Sequence, residues 1–220
     1  MNANKILRFA NIFYSLAAEE ELPTNSDDLK TVLGNLEKLE TYNARKKYAE
    51  ANLEHLSSGS SRIVYLTKNK TVVKLAKNDK GLQQNEAERE ASAKCHSKFL
   101  NKVLNYAKDY SWVEVPFLEK ITEKEFEEMT GQKFSDFGDA ISYGLRDISG
   151  SSDKKEPKNF KEVQKSEIYK EIKDIGHSCK LLPGDLSRIS SFGEKDGHPV
   201  LLDAGLTLKI WEQFYEENST

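Results

Sequence analysis

Two cysteines in 220 residues are too few for a disulfide framework, and no uninterrupted apolar run reaches the length of a signal peptide or a membrane span. The chain is therefore expected to be a soluble, cytoplasmic protein of a reducing compartment, with no membrane partner. An excess of basic charge is missing too. The 33 Lys and Arg face 36 Asp and Glu, a net charge of −3, so no overall positive field recruits nucleic acid. Zinc finds little support: Cys95-His96 and His177-Ser178-Cys179 hold ligand-type residues, but neither pair has finger spacing. Two reduced thiols and two ordinary histidines are the simpler reading. The length suits one two-lobed domain or two small ones.

What is present begins with helical periodicity. Ile6, Phe9, Ala10, Phe13, Leu16 and Ala17 recur at three and four residues, predicting a helix over Asn4 to Glu20. Leu22-Pro23 breaks it, and Asn25 or Ser26 caps a second helix carrying Leu29, Val32, Leu33, Leu36, Leu39 and Tyr42. Both stripes must be buried, either on the domain that follows or on another protein.

From Leu56 the period becomes alternating: a strand to Leu66 interrupted by a serine-rich turn around Gly59, then Thr71 to Ala76. A lysine inside that apolar strand, Lys74, needs an anion. Gln83 to Leu100 reads as a helix with an apolar arc of Ala87, Ala91, Cys95 and Phe99. Glu88 falls inside the arc, while Glu86 and Glu90 project from the opposite side. Glu88 is the inward acid, unless it is only a rim carboxylate capped by a surface lysine. Trp112 to Leu118 alternates as a strand and ends in Glu119-Lys120-Ile121. Thr122 and Glu125 form a capping box for a helix to Met129 that Gly131 ends.

Phe134 to Leu145 is expected to be helical, Asp147 to Asn159 a mobile surface loop without an apolar anchor, and Phe160 to Leu182 a helix delivering the chain to Asp185. Between Gly184 and Leu206, two acids stand at turns: Asp185, and Asp203 at the end of the apolar run Pro199 to Leu202. Phe192-Gly193 and Asp196-Gly197 read as turn chemistry between them. A carboxylate at the end of an apolar strand requires a cation, a metal or a hydrogen-bonding loop.

Asp185-Leu186, the intervening hairpin and Asp203-Ala204-Gly205 together resemble the catalytic loop and metal-binding turn of the protein-kinase-like superfamily. The likeness extends over Leu56 to Leu206. It also looks like the short kinase-like proteins of tailed phages, which would place the chain in host cytoplasm or virion. The fold it implies is α+β: a small antiparallel-sheet N-lobe with one helix and hinge (51–121) and a reduced, mainly helical C-lobe (122–220), preceded by an N-terminal helical segment (1–50). ATP and Mg²⁺ are the implied cofactors. Gly59 and Ser60 would cradle phosphates, the Lys74–Glu88 pair would seat them, and the hinge backbone at Glu119 and Ile121 would hold adenine. Asp203 and Ser190 would bind the metal, Asp185 would orient or deprotonate the acceptor, and Arg188 would steady transferred charge.

Three departures stand against this pattern. Pro183-Gly184 replaces the usual His-Arg, Ser190 replaces asparagine, and Leu206 to Thr220 is too short for a peptide-binding subdomain. Two functions follow: a pseudokinase-like binding or structural protein that meets another protein through its N-terminal helices, or an ATP-Mg²⁺-dependent phosphotransferase or other nucleotide-using transferase.

Overall fold

The computed structural model describes residues 28–151 and 153–215. The helix expected over Asn4 to Glu20 lies outside them, as do Asn25 and Ser26. Asp28 is the cap of helix α1 (Leu29–Lys38): its carboxylate accepts from the Lys30 and Thr31 amides. Leu39 turns extended and Thr41 caps α2 (Tyr42–Asn52), so Tyr42 opens a second helix rather than continuing the first. The boundary expected at residue 50 falls inside α2.

Five strands follow the spatial order β1-β2-β3-β5-β4, antiparallel throughout. They are β1 (Glu54–Ser58), β2 (Arg62–Leu66), β3 (Thr71–Ala76), β4 (Asn105–Tyr106) and β5 (Trp112–Pro116). The short β4 has no alternating signal in the sequence. Strand alternation divides the side chains. Ile63, Tyr65, Val73, Leu75 and Trp112 share a core with Val32, Leu33, Leu36, Tyr48 and Ala49 of α1 and α2. The expected second helix thus spends its apolar stripe on this sheet. The opposite face carries Arg62, Val64, Val72, Lys74 and Ala76.

Helix α3 (Asp79–Lys94) covers that opposite face. It starts earlier than expected because the Asn78 side chain accepts from the Gly81 amide, and it stops at Cys95, short of Phe99. A Cβ on Gly81 would stand 2.2 Å from the Ser61 carbonyl oxygen, so only glycine lets α3 approach the β1–β2 turn this closely. The buried side of α3 is polar: Gln84, Asn85 and Glu88 beside Gly81 and Ala91. Of the expected apolar arc, Ala91 is fully buried and Ala87 and Cys95 are half-buried, while Phe99 lies beyond the end of the helix.

The second layer is helical. The expected capping box opens α4 (Glu123–Thr130), and α5 (Phe134–Gly144) follows. Ile148, 5% exposed, anchors the segment expected to have no apolar contact. The helix expected from Phe160 is broken into α6 (Phe160–Val163) and α7 (Glu167–Cys179) because Ser166 caps a new start. Asp185 lies in a single helical turn, α8 (Pro183–Leu186). The hairpin β6 (Phe192–Lys195) and β7 (His198–Leu201) turns at Asp196-Gly197, both with positive φ, whereas Phe192-Gly193 is strand and not turn. Helix α9 (Leu208–Phe214) is capped by Thr207. Phe126, Phe134, Phe137 and Phe192 meet at ring-centroid distances of 5.0 to 6.1 Å in the centre of this layer.

The protein is therefore α+β, a five-stranded antiparallel sheet joined to a helical layer, in the element order that the kinase-like resemblance implies. Leu36, 0% exposed, ties α1 to the sheet. Leu36→Ala should cost about 2–5 kcal/mol in denaturant-unfolding measurements on the full chain. A loss below about 1 kcal/mol would show that α1 leaves the sheet in solution.

Candidate functional site

Lys74 stands on the central strand β3, paired to Val64 on one side and Val113 on the other, so its stem is walled by backbone and only its tip can turn toward α3. There Nζ meets Glu88 Oε1 at 2.5 Å and donates to the Leu202 carbonyl at 2.9 Å. Glu88 is 2% exposed, while Glu90 on the same helix is exposed. The helix-face reasoning thus selected the inward acid.

The second oxygen of Glu88 is taken by a residue that the sequence reading passed over. Arg62 Nη1 lies 2.8 Å from Glu88 Oε2, and Arg62 Nη2 lies 2.5 Å from Asp203 Oδ2. The partner of Asp203 is Arg62, one strand away from Lys74. Two cations and two carboxylates alternate as Lys74, Glu88, Arg62 and Asp203, and the set has no net charge. Burial alone would favour neutral arginine, but Asp203 and Glu88 outweigh it and hold the guanidinium in its charged form. Burial likewise opposes charge on Asp203, yet Arg62, Lys74 and the Gly205 amide, which donates to Oδ1 at 2.8 Å, bring its carboxyl down to about 2.

The supporting contacts are also polar. Asn85 accepts from Arg62 at 3.3 Å and donates to the carbonyls of Lys74 and Tyr110, locking helix α3 to two strands. Gln84 accepts from Ser61 Oγ at 2.5 Å. Arg62, Gln84 and Asn85 were legible only in part. Period-two alternation puts Arg62 on the face of Lys74, and the spacing of Gly81, Gln84, Asn85, Glu88 and Ala91 is that of one helix face.

The remaining expected residues fall into three groups. In the serine-rich turn, the Gly59 amide donates to the Arg62 carbonyl at 2.9 Å. Lys77 Nζ donates to the Gly59 carbonyl at 2.6 Å, and Lys80 Nζ to Ser60 Oγ at 3.1 Å. At the hinge, the Glu119 carbonyl accepts from the Glu194 amide at 3.0 Å and the Ile121 amide donates to the Phe192 carbonyl at 3.3 Å. The hairpin comes this close because residue 193 is glycine; a Cβ there would stand 2.8 Å from the Glu119 oxygen. One backbone group of each residue expected to hold adenine, the Glu119 carbonyl and the Ile121 amide, is thus engaged within the protein.

In the third group, Asp185 is half-buried with Arg188 Nη1 at 3.5 Å. Burial raises its carboxyl above the ordinary range, the Asp203 charge adds to this, and Arg188 opposes it. Ser190 is exposed and lines, with Arg188, Ser187, Glu123 and Asp139, a groove of about 430 Å³ between α5 and the Ser187–Ser190 segment.

The Mg²⁺ ligand set does not fit these residues as they stand. Asp203 is already paired with a guanidinium, and Ser190, the other expected ligand, is exposed on the groove beside α5. A metal at Asp203 would have to displace Arg62, a buried guanidinium that also holds Glu88, from a half-exposed carboxylate.

No protein-family model matches the sequence, and no curated protein matches it. Solved aminoglycoside phosphotransferases are similar in structure at 14% identity over 76% of this chain. They are the streptomycin–ATP ternary complex of APH(2″)-IIa (71% of that chain, TM-score 0.36), ADP-bound APH(2″)-Ib (71%, 0.38) and the gentamicin complex of APH(2″)-IIa (70%, 0.39).

Two outcomes follow from the ion network. Glu88→Gln leaves two buried cations with one full carboxylate between them and should destabilise the chain by about 3–5 kcal/mol, while Glu90→Gln should change less than about 0.5 kcal/mol. Equal effects in denaturant unfolding would remove Glu88 from the centre of the site. The Asp203 carboxyl is lowered from 3.8 to about 2 on folding. Its stabilisation is therefore complete above the unfolded value and lost as pH falls from about 4 to about 2. Asp203→Asn should flatten that part of the stability-against-pH curve, and an unchanged slope would show Asp203 unpaired in solution.

Proposed function

We propose that this chain is a pseudokinase-like binding protein, a kinase-like scaffold in which Arg62 takes the place at Asp203 that a divalent metal would need. The observation that carries this reading is the Arg62–Asp203 pair at 2.5 Å, built on a guanidinium that also holds Glu88. A nucleotide is its candidate ligand, because Lys77 and Lys80 reach the serine-rich turn that precedes Arg62 and add two cations to Arg62 and Lys74. Phosphate oxygens can compete for these cations without a metal. The engaged backbone of Glu119 and Ile121 argues that adenine recognition is weak.

A second reading rests on Asp185. Its raised carboxyl lies within electrostatic reach of Asp203 and has only a loose partner in Arg188, which suits a group that accepts a proton from an acceptor hydroxyl. Under that reading the chain is an ATP-dependent phosphotransferase.

Thermal-shift titration with ATP, with Mg²⁺ or with a chelator, on wild type, Arg62→Gln and Asp203→Asn separates them. A ligand held at a hundred times its dissociation constant stabilises the native state by about 2.7 kcal/mol. The binding-protein reading expects the wild-type shift to be the same with and without Mg²⁺, and metal dependence to emerge in Arg62→Gln, where Asp203 is released. A wild-type shift that requires Mg²⁺ and disappears in Asp203→Asn, together with ADP release, would establish the transferase instead.

A further inference from the structure

Helices α3 and α7 finish side by side although one covers the sheet and the other belongs to the helical layer. Cys95 caps α3, Cys179 is the last residue of α7, and their Sγ atoms lie 3.4 Å apart. Both side chains are half-buried, within reach of a small solute. The approach is braced by lysines: Lys94 Nζ donates to the Ser178 carbonyl at 2.6 Å, and Lys102 Nζ donates to the Cys95 carbonyl. Sequence reading treated these residues as two separate thiols, because 84 positions separate them. A zinc site is a poor alternative, since among the described residues no third His, Cys, Asp or Glu joins the pair.

We propose that Cys95 and Cys179 are a reversible disulfide site that fastens α3 to α7 when the chain meets a low-molecular-weight disulfide. A thiolate of one cysteine attacks a sulfur of the reagent, forming a mixed disulfide and expelling one reagent thiolate. The other cysteine, its proton given to solvent, attacks the protein-bound sulfur and expels the second. Two protein thiols are oxidised and one reagent disulfide is reduced to two thiols. Burial pushes the Cys179 thiol up to about 12, so Cys179 is a poor leaving group and the closed bond resists exchange through the Cys95 sulfur. The bond would join the helix that carries Glu88 to the helix that leads into the Asp185 turn, fixing the two sides of the ion network against each other.

The full chain is incubated with oxidised glutathione and compared with its reduced form by intact mass, non-reducing electrophoresis and thermal unfolding. The expected product is monomeric, lighter by two hydrogens, and melts roughly 5–10 °C higher because the cross-link restricts the unfolded chain. Dithiothreitol should reverse both changes. Cys95→Ser and Cys179→Ser should instead keep a glutathione adduct and gain no stability. A wild-type chain that retains the adduct, keeps both thiols free, or forms dimers would overturn the proposal. So would a closed bond with no rise in melting temperature.

Discussion

A carboxylate that is 2% exposed cannot remain charged without partners, and Glu88 has two of them, one on each oxygen. This requirement orders the upper half of the molecule. Lys74 must stand on the central strand to reach one oxygen, and Arg62 must begin β2 on the same face to reach the other. Helix α3 must lie close enough for both, which Gly81 permits by leaving room for the Ser61 carbonyl. Removing one charge from the buried trio of Lys74, Glu88 and Arg62 strands the others in a dry environment, while Asp203 reaches the solvent side.

The same network is a joint. The upper core contains α1, α2 and one sheet face, while the lower core gathers the helices around the phenylalanine cluster. Much of what crosses between them is polar and directional: Arg62 to Asp203, Lys74 to the Leu202 carbonyl, and the Glu119 and Ile121 backbone to β6. Apolar contact tolerates sliding, but hydrogen bonds of this kind weaken steeply when bent. The two halves therefore have few relative positions at which every bond is made. A ligand that separates Arg62 from Asp203 must supply a replacement for each.

What the sequence made legible is what local rules control. The alternation of β2 and β3, the Thr122 capping box, the hairpin turn at Asp196-Gly197 and the choice of Glu88 over Glu86 and Glu90 each depend on neighbours within a few residues. The misses share a different cause. Helix α3 was begun late and ended late because Asn78 was not read as its cap and an apolar arc was preferred to the polar face that the ion network rewards. Asp203 was read as needing a cation, a metal or a hydrogen-bonding loop, but Arg62 was not named, because nothing within the reach of periodicity announces an arginine 141 positions away. The Cys95–Cys179 approach is hidden for the same reason. Tertiary pairing of polar groups leaves almost no periodic trace, whereas burial of apolar ones does.

An arginine and a metal ion can both neutralise an aspartate, but they differ in how they leave. A metal dissociates into solvent, so the aspartate beneath it sees an occupancy set by concentration. Arg62 is covalently part of β2 and can only swing within a space bounded by Asn85 and Glu88. The charge at Asp203 is then balanced at every metal concentration. An incoming anion meets a guanidinium already desolvated and oriented, so less ordering remains to be done on binding. The same preorganisation works against a divalent cation, because its arrival forces Arg62 away from one of its two carboxylates.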